Sequence, residues 1–259
     1  MNPKYKFILS INMAMTLDGK VERPDGKWYG LSSREDKRRM DRYRSESEVL
    51  ILGKNSILND NPIIHLRYET GNEPQPVILV RNGNIPDDRH VFRHSKVKPI
   101  LLTTKKNVTN LSPSLESLSK IVVLGESDFS AGDVVHYLCE SNYSSGLLEG
   151  GPTLNAAFFR EDLVSVIYIT VTPFLIGKSS LLSICNNPVE LDNFENKKWI
   201  LEKVEQIQNE IFLKYKKEIN TQGSILNYNL YQFFVCIPDE PAKPAASSIL
   251  VLNISNFFY

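Results

Sequence analysis

Short apolar runs alternate with helix-like segments along most of this chain, and that alternation restricts it to the α/β class more than any other feature does. Lys6 to Met13, Glu48 to Leu52, Val77 to Arg81, Ile100 to Thr103, Ile121 to Leu124, Gly146 to Glu149 and Val164 to Val171 read as strands. Between them, Ser32 to Arg44, Ala131 to Glu140 and Thr153 to Arg160 read as helices. In the last of these, Leu154, Ala157 and Phe158 share one face. Ser32 followed by Glu35 predicts a capping box at the first helix. Parallel strands need crossovers, usually helical, so the sheet is expected to be mostly parallel and flanked by helices. The rhythm breaks at Trp199 to Gln206 and Glu210 to Lys217, which read as an antiparallel hairpin turning at Gln208-Asn209 and edging a mixed sheet.

The expected domain is residues 1–218. Residues 219–259 form an extension with few charges, three prolines (Pro238, Pro241, Pro244) and apolar patches at Leu230 to Ile237 and Ile249 to Tyr259. It reads either as a poorly ordered tail or as an extra strand pair covering an edge or a partner subunit.

Composition excludes several classes of function. Thirty basic residues balance thirty acidic ones, so no long-range basic field exists to gather nucleic acid. A hydrophobic content of 42% is enough for a sizeable core. Cys139, Cys185 and Cys236 are far apart and odd in number, which fits a reducing cytoplasm and no disulfide framework. The apolar stretch Phe7 to Met15 is broken by Ser10 and Asn12, so it reads as a strand and not as a signal peptide. No window is long and apolar enough for a membrane span.

The common catalytic fingerprints are missing. GxGxxG does not follow the first strand, and neither a GxxxxGK[ST] loop nor a GxSxG elbow occurs. His65, His90, His94 and His136 lie in no HxE or PCxxC pattern, so zinc deaminase chemistry is not encoded and no metal is expected.

The strongest positive signal is Gly146 to Leu154, GLLEGGPTL. An apolar strand ends in Glu149, Gly150-Gly151 turn tightly, and a helix starts at Pro152 or Thr153. Such a turn presents backbone N–H groups and the positive helix end to an anion, although it also serves as a plain connection. Glu149 favours the binding role, since a carboxylate at the end of a central strand points into the usual ligand crevice.

Two further segments share that strand-to-turn design. Ser10 to Lys20 turns at Asp18-Gly19, and Leu52 to Pro62 runs strand, glycine, short helix and polar stop. Ser56 and Asp60 are four apart and share a helical face. Arg44 and Arg67 bracket the segment; beside a crevice, two guanidinium groups suit a phosphorylated ligand.

MTLDGK at Met15 to Lys20, GKNSILNDNP at Gly53 to Pro62 and LLEGGPTLNAAFF at Leu147 to Phe159 stand in one order and spacing. Together they resemble the riboflavin-biosynthesis pyrimidine reductase family, also found as the reductase domain of the bifunctional deaminase/reductase. The resemblance runs from about Phe7 to Glu218. It implies a dihydrofolate-reductase-like fold, NADPH as hydride donor, a ribosylamino-pyrimidine 5′-phosphate as substrate and a homodimer. It further implies cofactor contacts at Ala14, Ser56, Asp60 and Gly150 to Leu154 (Gly151, Pro152, Thr153 and Leu154 over the phosphates). Arg44 and Arg67 would bind the substrate phosphate, Ile64 and Glu149 would contact the substrate, and Asp18 would stand beside the reacting groups with Glu149.

The chain departs from the family pattern in places. Where the family often has Asp-Ser after the third strand, this chain has Val80-Arg81, and Arg81 is expected to hold the 2′-phosphate of NADPH instead. Val164-Ser165-Val166 replaces Val-Asp-Glu, and a polar substrate contact falls near Trp28. The leading expectation is a stand-alone NADPH-dependent pyrimidine reductase. Another reductase of the same fold, or a degenerate nucleotide-binding member, are the alternatives; dihydrofolate reductase itself fits less well, because no Leu-Pro-Trp follows the first loop.

Overall fold

A computed structural model describes residues 7–25, 30–186 and 198–218 of the chain. Trp28 and the extension 219–259 lie outside the described residues. In chain order the elements are β1 (Ile8–Met15), α1 (Arg34–Ser45), β2 (Val49–Gly53), α2 (Lys54–Asp60), β3 (Gln75–Val80), α3 (His90–Arg93), β4 (Ile100–Thr103), α4 (Lys105–Val108), α5 (Ser114–Leu118), β5 (Lys120–Val123), α6 (Ala131–Glu140), β6 (Ser145–Leu148), α7 (Pro152–Arg160), β7 (Val164–Val171), β8 (Trp199–Ile207) and β9 (Glu210–Lys217).

The strands form one sheet in the order β5-β4-β3-β2-β6-β1-β7-β9-β8. β1 to β7 are mutually parallel, and β9 pairs antiparallel with both β7 and β8. The expected mixed sheet with an antiparallel C-terminal hairpin is therefore the one found. The hairpin turns at Gln208, whose φ of 54° is left-handed. β6 enters late in the chain yet lies between β2 and β1, so the strand order reverses in the middle of the sheet. Ligands of open α/β sheets bind at the carboxyl ends of the strands beside such a reversal.

Side-chain alternation splits the core in two. Leu9, Ile11, Val49, Ile51, Val77, Leu79 and Leu148 face one layer with α6 and Phe158 of α7. Leu50, Leu52, Ile78, Val80, Leu101 and Leu147 face the other, with Ile57, Ile64, Val91 and Tyr43. Both faces of the central strands are buried, which is why they read as continuous apolar runs. Each buried Leu, Ile or Val contributes about 1.5–3 kcal/mol relative to exposure.

The first helix starts later than the sequence predicts. Ser33, not Ser32, is its cap and accepts from the Glu35 and Asp36 N–H groups. Ser32 instead donates to Asp36 Oδ2 at 2.5 Å. The reason is that Asp36 turns inward and its Oδ1 takes the Thr170 hydroxyl, while Glu35 turns outward toward Arg38 and Arg39. α3, α4 and α5 were not anticipated; helices of four or five residues carry too little periodicity to show. Among the described residues no helix is long and apolar enough to cross a membrane.

Candidate active site

The central feature of the site is a buried arginine. α1 carries only Met40 and Tyr43 among polar residues, yet it inserts Arg44, only 2% exposed, toward the end of β6. There Glu149 has just left the sheet, its N–H donating to Ile51 O at 3.1 Å. Arg44 grips the carboxylate with both edges of its fork: Nε donates to Oε1 at 2.9 Å and Nη2 to Oε2 at 2.6 Å. The third nitrogen, Nη1, donates to Asp41 Oδ1 at 3.4 Å and to Ile63 O at 3.2 Å. Burial alone would lower the Arg44 pKa, but the charges of Glu149 and Asp41 and the hydrogen bonds Arg44 donates to Glu149 raise it above the usual value. The group is a permanent cation between two carboxylates.

Asp41, fully buried, extends the network into the loop after α2. Its Oδ2 accepts the backbone N–H groups of Arg67 at 2.6 Å and Tyr68 at 2.8 Å. Arg67's side chain stays exposed, with its guanidinium 5.3 Å from the Tyr68 ring centre. Ile64 is buried in the α1-side core and presents no open side chain. Of the predicted substrate contacts, the structure joins Arg44 to Glu149, brings Arg67 to them through Asp41, and sets Ile64 in the core behind them.

The first loop is held shut from the far side of β1. Thr16 Oγ1 donates to Asp18 Oδ1 at 2.6 Å, and Gly177 N donates to Asp18 Oδ2 at 2.8 Å. Those two bonds hold the Asp18 carboxyl down at a pKa of about 2. Leu17 N donates to Phe174 O and Val21 N to Leu182 O. The segment that follows β7 then reaches α7, where Asn155 Nδ2 donates to Ile184 O at 2.9 Å and Asn186 N to Pro152 O at 3.1 Å. One strap thus connects the Asp18 loop to the glycine turn.

At that turn, Gly151 is the N-cap of α7 with no side-chain cap, and Pro152 occupies the first turn. A Cβ on Gly151 would come no closer than 3.7 Å to its nearest neighbour, Ser56 Oγ of α2. A Cβ on Gly150 would meet Leu154 Cδ2 at 2.6 Å. Gly150 is therefore demanded by the close packing of the turn on Leu154, whose side chain also fills the space above Gly53. Thr153 stands exposed beside Pro152. Ser56 and the exposed Asp60 lie on one face of α2, and Ala14 pairs with Thr170 near the end of β1. Arg81 lies just past the end of β3; its Nε donates to Phe129 O at 3.0 Å and lies 3.1 Å from Asp128 Oδ1, and the guanidinium covers the Phe129 ring.

Sequence reasoning did not single out Asp41, Asp36 or the strap. Asp36 is buried where α1 meets β7; burial raises its pKa, the charges of Glu210 and Glu149 add to that, and the Ser32 and Thr170 hydroxyls oppose it.

A reversal of strand order, an uncapped helix start and a carboxylate–guanidinium pair thus lie together at the carboxyl ends of the strands of one α/β sheet. The chain belongs to the RibD C-terminal domain family, which matches residues 8–213. It is 29% identical over 190 residues to the riboflavin biosynthesis protein RibD of Chlamydia pneumoniae, covering 70% of this chain and 50% of that one. It is 25% identical over 207 residues to the 2,5-diamino-6-ribosylamino-4(3H)-pyrimidinone 5′-phosphate reductase of Archaeoglobus fulgidus, covering 76% of this chain and 92% of that one. The chain thus spans half the length of the first relative and nearly all of the second. Its fold matches the bifunctional deaminase/reductase of Thermotoga maritima with a TM-score of 0.67 at 21% identity, over 82% of this chain and 57% of that one.

Proposed function

We propose that the chain is an NADPH-dependent reductase of riboflavin biosynthesis. Its reaction would convert the ribosylamino group of a 5-amino-6-ribosylaminopyrimidine 5′-phosphate to the ribitylamino form. The observation that carries this reading is the near full-length match to the Archaeoglobus reductase, taken with the three motif segments meeting at the carboxyl ends of one sheet.

The residues present suit the cofactor. An uncapped start to a nine-residue helix and the neighbouring Ser56 hydroxyl are the donor set that phosphates prefer. In this reading Gly150 to Leu154 form the phosphate turn, Ser56, Asp60 and Ala14 flank it, and Arg81 takes the 2′-phosphate with the guanidinium edge that Phe129 and Asp128 leave open. When bound, NADPH supplies the hydride.

The remaining work falls to the chain itself. Arg44 fixes the carboxylate of Glu149, so both oxygens have one orientation toward the substrate. Asp18, with a pKa of about 2, is a carboxylate at neutral pH and orients the loop; it does not donate a proton. The proton required at the ring oxygen of the opening sugar would be supplied by a carboxylate or by an ordered water. The bonds from the segment after β7 hold the Asp18 loop in one conformation.

The same reading includes a cytoplasmic homodimer. Leu201, Val204 and Ile211 are exposed on the edge hairpin, an apolar surface suited to a second copy. Assaying NADPH and NADH against ribosylamino-pyrimidine 5′-phosphates (with and without the exocyclic amine) and against a dihydropterin tests the proposal. Turnover with NADPH and a pyrimidine phosphate is expected. Turnover with the pterin alone would overturn the substrate assignment.

A further inference from the structure

Residues 172–186 follow β7 and form no helix or strand, yet hydrogen bonds tie them to two separate parts of the molecule. At the first loop, Thr172 N donates to Met15 O at 2.8 Å, Leu17 N to Phe174 O at 2.8 Å and Val21 N to Leu182 O at 3.0 Å. Ile176 N and Gly177 N donate to the two oxygens of Asp18 at 3.3 and 2.8 Å, and Leu182 N donates to Glu22 Oε1 at 3.2 Å. Lys20 Nζ donates to Ser179 O at 3.3 Å and to Leu181 O at 3.0 Å. The loop and the strap are therefore one hydrogen-bonded unit.

The other end of the strap is fastened to the first turn of α7. Asn155 Nδ2 donates to Ile184 O at 2.9 Å, and Asn186 N donates to Pro152 O at 3.1 Å. Asn155 is fully buried, and its own N–H donates to Gly151 O at 3.1 Å, so it belongs to the turn that the glycine opens. Its Oδ1 is buried too and finds no partner among the described residues. An unpaired buried acceptor is destabilising, and leucine, with the same branching, would avoid it. Packing therefore gives no reason for an amide at this position. What the amide adds is the bond to Ile184 O.

Between these fastenings the unit gains little from packing. Leu17, Phe174 and Leu175 are exposed, and the hydrogen bonds join irregular backbones. Such segments open locally at low cost, so their order depends on their anchors. An anion on the free N–H groups at the start of α7 firms that turn, and with it the anchor at Asn155. Order gained there passes along the strap to Asp18 without any change of fold.

We propose that Asn155 is a positioning residue that ties the turn at Gly151 to the Asp18 loop, so that cofactor phosphates on the turn set how firmly the loop is held. The proposal rests on the reading of Gly150 to Leu154 as the cofactor's phosphate turn, and adds Asn155 and the strap to its site.

The test is hydrogen–deuterium exchange of the full chain, read by mass spectrometry with and without 2′-phospho-ADP-ribose. This probe carries the cofactor's phosphates but lacks the nicotinamide. In the wild type it should slow exchange in peptides covering residues 16–22 by about fivefold or more. In Asn155→Leu the probe should still bind and still protect residues 151–155, while exchange over 16–22 stays within about twofold of the ligand-free rate. Should leucine prevent folding, Asn186→Pro, at an exposed position, removes the neighbouring tie to Pro152 O and takes its place. A merely structural loss would speed exchange with and without the probe alike and keep the wild-type ratio. That result, or a wild-type loop indifferent to bound probe, would overturn the proposal and leave the cofactor site standing. Failure of the probe to bind the wild type would overturn the cofactor site and the coupling together.

Discussion

Arg44 and Glu149 come from positions 105 residues apart and meet through two parallel hydrogen bonds at the end of β6. The arginine is almost wholly buried and the glutamate only slightly exposed. A pair so desolvated adds little net stability, because desolvation offsets much of the attraction. Its value is geometric: it fixes one carboxylate at the carboxyl end of β6 and, through Asp41, fixes the neighbouring loop.

Removing the cation should therefore cost more than removing one anion. Arg44→Met strands both Glu149 and Asp41 and should destabilise the protein by about 3–5 kcal/mol. Glu149→Gln keeps an acceptor for Arg44 and leaves it Asp41 and Ile63 O, so it should cost clearly less while removing most of the turnover. Urea unfolding of both variants, read beside their kcat, checks the order. A larger loss of stability for Glu149→Gln would refute it.

Asp18 should show its role in acid. Its folded pKa of about 2 lies below the ordinary carboxyl value of 3.8, held there first by the Thr16 hydroxyl and then by the Gly177 N–H. A depressed carboxyl pKa contributes stability that is present above the unfolded value and is lost as pH falls through the folded one. Asp18→Asn should thus narrow its stability deficit between about pH 4 and pH 2, and should leave no change in the pH–rate profile near neutrality. A new limb near neutral pH in the wild type that vanishes in Asp18→Asn would make Asp18 a proton carrier after all.

The two glycines of the turn should behave differently. Gly150→Ala drives a methyl group against Leu154 and should destabilise by about 1–3 kcal/mol. Gly151→Ala meets nothing closer than ordinary contact with Ser56 and should keep the wild-type melting temperature while weakening NADPH. Fluorescence titration of NADPH with each variant, alongside thermal unfolding, separates packing from binding. Equal melting temperatures for the two variants would contradict this division.

Asp36 should work with the opposite sign. Burial raises its pKa above 3.8, helped by the charges of Glu210 and Glu149. A raised carboxyl pKa contributes stability that is full below the unfolded value and declines as pH rises through the folded one. Asp36→Asn, which keeps a hydrogen-bonding side chain for Ser32 and Thr170, should gain stability relative to wild type as pH rises above about 4. Denaturant curves at several pH values would show a gap moving in that direction; a pH-independent gap would rule out the linkage.

The strands were legible because the two faces of the central sheet are both apolar, so Val49–Gly53 and Ile100–Thr103 stand out as unbroken runs. The hairpin turn at Gln208 showed for a similar reason, as a polar break between alternating strands. α1 was legible as a helix but not as a packed one. Its sequence REDKRRMDRYRS offers only Met40 and Tyr43 to a core, yet Asp36, Arg39, Asp41 and Arg44 are buried. Charges become buried only when distant partners neutralise them, and no local pattern announces that Glu149, Glu205 and Thr170 wait across the fold. The strap 172–186 was invisible because its hydrogen bonds run between irregular backbones. The candidate residues at the glycine turn could be found from strand, turn and helix grammar alone, but which glycine serves packing required the Leu154 side chain.

The most direct measurement is transfer of label from cofactor to product. Purified protein would be given NADPH deuterated at the nicotinamide C4 position and a ribosylamino-pyrimidine 5′-phosphate, and the product analysed by mass spectrometry. A single deuterium is expected on the ribityl carbon bonded to the amine, with incorporation abolished in Glu149→Ala. Product formed without deuterium from either face of the nicotinamide, or NADPH bound but never oxidised with any pyrimidine phosphate, would contradict it.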